Sequence, residues 1–180
     1  MDYSEFLEAI YGDASGWVSI VNRDQNDWAQ VNSEHWRKWP EHKAYIAKYC
    51  SLRNDEDTYA SVALFTDQHR TKDDSRAVAH TVWADADTCN PDNFRAYPSI
   101  VVQTSPNRWH CWWVLETPVL ASEAAKTSQR IAYAHKEQGC DLGWFASKIL
   151  RVPGTTNLKD PENPFMVTAT YTGEVYTLEK

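Results

Sequence analysis

The sequence has 180 residues, of which 42% are hydrophobic and 24% are charged. These are the proportions of an ordinary globular domain with one hydrophobic core, and no apolar run approaches the roughly 20 residues of a membrane-spanning helix. Eighteen basic residues stand against 25 acidic residues, giving a net charge of −7. This balance excludes a protein that coats nucleic acid or an anionic membrane through its overall charge. Any polyanion must be bound by a local group of basic side chains.

Glycine and cysteine are both sparse. The six glycines, at positions 12, 16, 139, 143, 154 and 173, form neither the G-x-G-x-x-G motif nor a G-x-x-x-x-G-K-[ST] loop. We therefore expect phosphates to be held by side chains and metal ions. The four cysteines are widely spaced without a C-x-x-C pair, and no secretory segment precedes them, which predicts reduced thiols and a cytoplasmic protein.

Helices and strands mix in the first half of the chain. Apolar residues at helical spacing from Tyr3 to Ile10, with Asp2 or Ser4 as a cap and Gly12 as a stop, predict a short amphipathic helix. The other predicted elements are a strand over 16–22, a Trp-rich connection through Trp28, Trp36 and Trp39, a helix from Pro40 to about Leu52, a strand over 58–66, a charged loop over 67–76 and a β-rich run over 77–87.

The second half predicts a hairpin and the longest helix. Its elements are strands over 99–104 and 109–116, a helix over 122–138 with Ser122 as its cap, a strand over 148–152, a turn at Pro153-Gly154 and a closing hairpin over 165–178 turned at Gly173. Because strands and helices mix without a steady βαβ alternation, we predict a single α+β domain. The last strand ends almost at Lys180, which predicts that the chain belongs to a longer protein.

Two carboxylates end the β-rich run. Alternate side chains of a strand share a face, so Asp85 and Asp87 are expected to point the same way, together with Trp83. The repulsion between two such carboxylates is relieved by a base or by a divalent cation with oxygen ligands. The pattern predicts a metal site, and the alternative is a solvated strand end at which Asp begins a turn.

The predicted hairpin collects polar side chains on one face. If its strands pair across the four-residue connection, Gln103 faces His110, and Ser105 and Arg108 lie at the tip. This set is suited to an anionic group. A single histidine on a strand is also common as a structural residue, and that alternative stays open.

A turn after the predicted strand at 148–152 concentrates further donors. Arg151, Asn157 and Lys159 supply a guanidinium, an amide and an ammonium. Arginine can bind a phosphate with two parallel hydrogen bonds, and lysine adds a point charge. The alternative is a polar surface loop.

The order of these motifs is more specific than any one of them. Asp-x-Asp at 85–87, Ser105 and His110 in a hairpin, a further carboxylate, and Arg-x-Pro-Gly-x-x-Asn-x-Lys over 151–159 together resemble the archaeo-eukaryotic primase superfamily. More narrowly, they resemble plasmid and phage primases and primase-polymerases of the RepB type. The resemblance extends over about 58–159 and implies an RRM-like catalytic palm over 58–180. Residues 1–57 match loosely and would form an additional N-terminal α/β part.

The resemblance implies a role for each matched residue. Asp85 and Asp87 match carboxylates that hold two catalytic divalent ions, Mg²⁺ or Mn²⁺, and Asp141 best matches the third metal-binding carboxylate. His110, also among the catalytic residues, matches a histidine that contacts the phosphates of the incoming nucleotide. Further nucleotide-binding positions are Ser105, Arg108, Arg151, Asn157 and Lys159. The sequence itself adds two sets of candidates. Arg70, Lys72 and Arg76 lie in the charged loop and are candidates for contact with DNA or phosphates, the alternative being an exposed loop of mixed charge. Trp83 is a candidate for stacking on a base, the alternative being a place in the core.

The implied function is template-directed nucleotidyl transfer in DNA replication, as a DNA primase, a DNA polymerase or both. The substrates would be dNTPs or NTPs and single-stranded DNA. The chain would be a monomeric part of a phage or plasmid replication protein that also carries a helicase or a helical priming domain.

Three alternatives use the same carboxylates or the same surface. A phosphatase of the haloacid-dehalogenase type also begins with Asp-x-Asp, but it requires a parallel α/β fold and has Thr or Val where this chain has Cys89. A two-metal nuclease or a nucleotidyl cyclase is the second alternative. The third is a non-catalytic replication-initiator module that binds DNA.

Overall fold

The chain folds into strands and a few helices in a computed structural model that describes residues 1–23, 33–51 and 56–178. The helices are α1 (Tyr3–Tyr11), α2 (Lys43–Ser51) and α3 (Ala121–Ala134), with short 3-10 helices at Pro91–Asn93 and Lys136–Gln138. The strands are β1 (Gly16–Arg23), β2 (Ser33–Trp39), β3 (Asp57–Ser61), β4 (Val78–Asp87), β5 (Ile100–Ser105), β6 (Arg108–Leu120), β7 (Ile149–Arg151), β8 (Thr156–Asn157), β9 (Phe165–Met166) and β10 (Thr168–Tyr171). None of the described helices is long and apolar enough to cross a membrane.

Two four-stranded sheets carry the fold. Their strand orders are β2-β1-β3-β7 and β10-β5-β6-β4, and β8 and β9 form a small ribbon. All pairings between these strands are antiparallel, which confirms the α+β class and excludes the parallel sheet that the phosphatase alternative requires. The first sheet combines β1, β2 and β3 with a strand from much later in the chain, because β7 pairs with β3. The division into 1–57 and 58–180 falls at the start of β3 and stays a prediction.

Helix α1 lies where its sequence predicts. The Asp2 carboxylate accepts the N–H groups of Ser4 and Glu5 at 2.8 and 2.9 Å, and the Glu5 carboxylate accepts the N–H of Asp2 at 2.9 Å. This reciprocal capping box satisfies donors that the first helical turn leaves open. The helix ends at Gly12, whose φ of 51° is a conformation that glycine adopts without strain.

Helices α1 and α3 both pack against the second sheet. Phe6 of α1 lies edge-on to Trp112 of β6 with the ring centroids 5.5 Å apart, and Trp112 pairs across the strands with Trp83 of β4. On α3, the Ser128 hydroxyl accepts the backbone N–H of Trp83 at 3.1 Å. The Trp83 side chain has no exposed surface, so the prediction that it stacks on a base is wrong: the ring belongs to the core.

Several predicted boundaries differ from the observed ones. Trp36 and Trp39 lie in β2 and not in a connection, whereas Trp28 and Leu52 fall outside the described residues. Helix α2 begins at Lys43, because the segment after Pro40 forms a turn first. Helix α3 begins at Ala121 without a side-chain cap, so Ser122 does not cap it.

The predicted closing hairpin does not form. β10 pairs instead with β5 and so becomes the edge of the second sheet. Beyond Gly173 the chain contacts β6 through a single bridge between Leu115 and Tyr176. The residues before Gly173 thus pair with β5 and those after it contact β6, so the two halves of the predicted hairpin do not pair with each other.

Candidate active site

A cleft of about 350 Å³ receives side chains from both four-stranded sheets. The first sheet contributes Arg23, Tyr59 and the β7 segment, and the second contributes β4 and the β5–β6 hairpin. Eight residues predicted from the sequence line it, namely Asp85, Asp87, Ser105, Arg108, His110, Arg151, Asn157 and Lys159. The motif residues, which are far apart in the sequence, therefore meet in one place.

The β5–β6 hairpin has a register one residue away from the predicted one. Gln103 lies opposite Trp109, and His110 lies opposite Val102. Only two residues connect the strands, and one of them, Asn107, has a φ of 59°. Tight hairpins require such left-handed residues, and asparagine tolerates them. The prediction that Gln103 faces His110 is wrong because it assumed a four-residue connection.

Asp85 and His110 face each other across the β4–β6 pair. The Nε2 atom of His110 lies 3.6 Å from the Asp85 carboxylate. Burial lowers the pKa of His110 to about 4, despite the opposing effect of Asp85, so the imidazole is neutral at pH 7. Its Nδ1 atom is buried and has no hydrogen-bond partner in the described part of the chain. A ligand in the cleft could satisfy this atom, since buried polar atoms are rarely left unpaired.

Lys148 is the cation that joins two of the predicted metal-binding carboxylates, and it is not among the residues that the sequence predicts. Its Nζ atom donates to Asp85 at 2.8 Å and to Asp141 at 3.4 Å. Burial raises the pKa of the Asp85 carboxyl, but the nearby positive charges of protonated His110 and of Lys148 outweigh it, so this pKa lies below its usual value. Because His110 is neutral at pH 7, Lys148 is the main counter-charge.

The pKa of Lys148 moves in the opposite direction. Burial lowers it, but the charges of Asp85 and Asp141 and the hydrogen bonds to them raise it above its usual value. Both members of the Asp85–Lys148 pair are therefore ionised at neutral pH. A lysine directly before a three-residue strand resembles any surface lysine, and nothing in the sequence distinguishes it.

Asp87 has a different cationic partner. It ends β4 with a φ of 45°, and its carboxylate pairs with the guanidinium of Arg108 at the hairpin tip. The register of β4 against β6 shifts between Asp85 and Asp87. Both carboxylates line the cleft, as predicted. Because of the register shift between them, the simple alternation of side chains along a strand does not describe how they are arranged.

Asp141 lies beside Asp85, held by the backbone. Its N–H donates to the Asp85 carbonyl at 2.9 Å, and its carboxylate accepts the N–H of Gly143 at 2.7 Å. Among residues 1–23, 33–51 and 56–178, no group of three or more His, Cys, Asp or Glu side chains is arranged to hold a metal ion. Asp85 and Asp141 nevertheless share one cation position, at Lys148 Nζ, and carboxylate oxygens suit Mg²⁺ and Mn²⁺. The donor chemistry fits a divalent ion, and the three-carboxylate set stays a prediction.

Arg151 lines the cleft, but its charge is already paired within the fold. Its guanidinium donates twice to the fully buried Asp57, at 2.7 and 3.3 Å, and lies 4.8 Å from the centroid of the Tyr59 ring. Asp57 also accepts the N–H of Leu158 at 2.7 Å. Arg151 therefore holds β3, β7 and the following loop together, and its binding of phosphate stays a prediction.

Asn157 connects this loop to the hairpin. Its amide donates to the Thr104 carbonyl at 2.6 Å, and its carbonyl accepts the N–H of Lys159 at 3.0 Å. These bonds fix the backbone next to Lys159, which lines the cleft together with Ser105. The sequence analysis predicted Ser105, Asn157 and Lys159 as site residues. It did not predict Arg23 and Tyr59, which line the same cleft from the first sheet.

The basic residues of the charged loop lie outside the cleft. Arg70 donates to the Glu34 carboxylate and to the Ser147 carbonyl, both at 2.7 Å. Lys72 Nζ lies 4.3 Å from the ring centroid of Phe145, and Arg76 lines a separate surface cleft. Their contact with DNA or phosphates stays a prediction, whereas Arg70 bridges β2 to the segment that carries Lys148.

Comparisons with known proteins find similar solved structures. No protein-family model matches the sequence, and no curated protein matches it. The crystal structure of primase RepB′ superposes with a TM-score of 0.67 at 17% identity, covering 96% of this chain and 56% of that one. The chain thus spans about half the length of that primase.

Two further solved structures are similar. The catalytic domain of primase RepB′ in complex with initiator DNA has a TM-score of 0.61 at 19% identity, covering 89% of this chain and 80% of that one. The AEP domain of the cyanophage S-2L primase-polymerase has a TM-score of 0.59 at 15% identity, covering 88% and 83%. With its two antiparallel sheets and the cleft that both of them line, the chain has the same fold as these primase and primase-polymerase structures.

Proposed function

We propose that the protein catalyses template-directed nucleotidyl transfer, as the catalytic domain of a primase or primase-polymerase. The convergence of Asp85, His110 and Lys148 at one cleft of a primase-type fold carries this proposal. Asp141 does not line the cleft itself, but its carboxylate contacts the same Lys148 ammonium group. The reaction joins a nucleoside triphosphate to a 3′-hydroxyl. We expect it in DNA replication, in the cytoplasm of a host cell if the gene belongs to a phage or plasmid.

The size and polarity of the cleft support a nucleotide as the ligand. A volume of about 350 Å³ lies near the lower end of the range for small-molecule sites. It suits one nucleotide. Arg23, Arg108 and Lys159 line it together with His110, so positive charge and polar donors offset the charge of a triphosphate without a glycine-rich loop.

Asp85 and Asp141, with Asp87, would hold the divalent ions, either Mg²⁺ or Mn²⁺. When bound, such ions activate a 3′-hydroxyl and stabilise the charge on the reacting phosphate and the leaving pyrophosphate. The buried, neutral imidazole of His110 can donate one N–H to a phosphate oxygen. Ser105 at the hairpin tip adds a hydroxyl donor. These residues orient the triphosphate, while the carboxylates act as ligands and not as bases.

Single-stranded DNA is the proposed template. A RepB′ catalytic domain with the same fold was solved in complex with initiator DNA. The net charge of −7 means that template binding must depend on a few local phosphate contacts, so we expect it to be weak and to fall with added salt. A helicase or helical priming domain elsewhere in a longer chain would strengthen it.

The decisive test is a synthesis assay with labelled dNTPs or NTPs, with and without a primer, in Mg²⁺ and in Mn²⁺. We expect metal-dependent strand extension by the unaltered protein and its loss in Asp85→Asn. Asp92→Asn, at an exposed position in a 3-10 helix, is the matched control and should retain full activity. Strand shortening would identify a nuclease, and a cyclic product would identify a cyclase. Extension by Asp85→Asn at the control rate would refute the proposed role of the carboxylates.

A further inference from the structure

Every carboxylate predicted to bind metal is paired with a basic side chain of the protein itself. Lys148 contacts both Asp85 and Asp141, at 2.8 and 3.4 Å, and Arg108 pairs with Asp87. The Lys148 position differs from that of an ordinary surface ion pair, because one ammonium group serves two carboxylates that belong to separate segments. It is the position at which a shared cation is needed.

A lysine ammonium and a divalent ion cannot share that position. Their charges would repel strongly at a separation of a few ångströms in a partly buried cleft. Lys148 lines the same cleft, retains 23% of its side-chain exposure, and has a flexible four-carbon stem. Its ammonium group can therefore leave the carboxylates and still remain within the cleft, where a triphosphate would offer new acceptors.

We propose that Lys148 is an exchangeable counter-ion, which neutralises Asp85 and Asp141 in the metal-free cleft and moves to the triphosphate when a divalent ion takes its place. The inference rests on the proposed function, since it requires a nucleotide triphosphate as the ligand. Lys148 thus pairs first with the two carboxylates and then with the triphosphate. It also explains how two neighbouring carboxylates remain stable before metal is bound.

The exchange predicts effects of opposite sign when the Lys148 charge is removed. Metal binding becomes tighter because its competitor is gone, and nucleotide binding becomes weaker because a phosphate donor is gone. Coupling between two ligands is reciprocal, so in the unaltered protein each ligand should favour the other. A lysine that only supports the fold would not tighten metal binding on removal.

The test measures binding and not synthesis. Mn²⁺ is titrated by electron paramagnetic resonance into the unaltered chain, Lys148→Met and the control Lys126→Met, which changes an exposed lysine on α3. We expect the Mn²⁺ dissociation constant to fall about tenfold in Lys148→Met and to stay unchanged in the control. Calorimetry at saturating Mn²⁺, with a non-hydrolysable dNTP analogue, should show about tenfold weaker analogue binding in Lys148→Met.

Lys148→Gln provides a second variant, because it keeps a hydrogen-bond donor and lacks the charge. It should show the same two shifts, and circular dichroism establishes that each variant is folded. Unchanged or weaker Mn²⁺ binding in the folded variants would overturn the exchange, as would unchanged binding of the analogue. If both shifts occur but the unaltered protein extends no strand, the counter-ion role stands and nucleotidyl transfer is refuted.

Discussion

Two ion pairs, only three residues apart along the chain, differ in nearly every physical respect. Arg151 is 7% exposed and donates twice to Asp57, which has no exposed surface. Lys148 and Asp85 are each 23% exposed, and Lys148 divides its ammonium group between two carboxylates. We call the Arg151–Asp57 pair closed, because it is buried and held by two hydrogen bonds. We call the Lys148–Asp85 pair open, because both side chains are partly exposed. Residues that line one cleft can thus serve the fold or the ligand, and burial distinguishes the two.

The largest expected effect is on the closed pair. Asp57→Asn would leave the Arg151 guanidinium buried without its counter-charge, at a cost of about 3–5 kcal/mol in the free energy of unfolding. Urea denaturation followed by circular dichroism measures it, with Asp92→Asn as the exposed control. A loss below about 1 kcal/mol would mean that the Arg151 side chain can reach solvent, and the distinction between the two pairs would fail.

The carboxylates of the open cleft should show the reverse pattern. We expect Asp87→Ala to reduce dNTP incorporation on a primed template by at least about a hundredfold, because a predicted metal ligand is removed. Its free energy of unfolding should change little, since the Asp87–Arg108 pair is largely exposed. Undiminished incorporation would rule out Asp87 as a metal ligand.

His110 should make stability depend on pH. Its folded pKa of about 4 lies below the ordinary value of 6.5, so the unfolded chain binds more protons between these values. Stability is therefore complete above about pH 6.5 and decreases as the pH falls toward 4, by on the order of 3 kcal/mol. Denaturation of metal-free protein across this range measures the slope.

Two variants isolate this contribution. His110→Gln should flatten most of the slope, whereas His42→Gln, at an exposed position, should leave it unchanged. His80, whose pKa is also lowered by burial, would contribute the remainder. If the free energy of unfolding has the same pH dependence in His110→Gln and in the unaltered protein, His110 is not buried in its neutral form.

The smallest effect is expected for a third, intermediate ion pair. Arg70 and Glu34 are 21% and 29% exposed in their side chains, and Arg70 also donates to the Ser147 carbonyl. Arg70→Ala should therefore cost about 1 kcal/mol in the free energy of unfolding. Thermal or urea denaturation measures this loss. A cost as large as that of Asp57→Asn would show that the exposure of an ion pair does not determine its contribution to the free energy of unfolding.

Local patterns predicted much of the scaffold. The cap candidates Asp2 and Ser4 and the stop at Gly12 identify α1, because capping depends on hydrogen bonds between residues that are close in sequence, and the structure shows that Asp2 is the cap. The β-rich run ending at Asp85 and Asp87 identifies β4. His110, which the resemblance to primases indicated, lines the cleft, and its contact with a nucleotide stays a prediction. The hairpin register differs by one position from the predicted one, because the two-residue turn depends on a single left-handed residue, Asn107.

Features that depend on distant contacts could not be predicted. Arg151 and Lys148 are both basic residues near β7, and only the tertiary positions of Asp57 and Asp85 assign them different roles. The pairing of β10 with β5 likewise depends on an edge that no short segment of sequence reveals. Strand alternation placed Trp83 on the Asp85 face, but it carries no information about what covers the ring.

The hydrogen bond from Trp83 N–H to Ser128 has a consequence for assembly. β4 is an edge strand of the second sheet, and an uncovered edge offers a template on which another polypeptide can add a strand. Ser128, presented by α3, occupies one of the outward-facing N–H groups of that edge. The helix therefore makes this N–H unavailable to an added strand, on the same strand that carries Asp85 and Asp87.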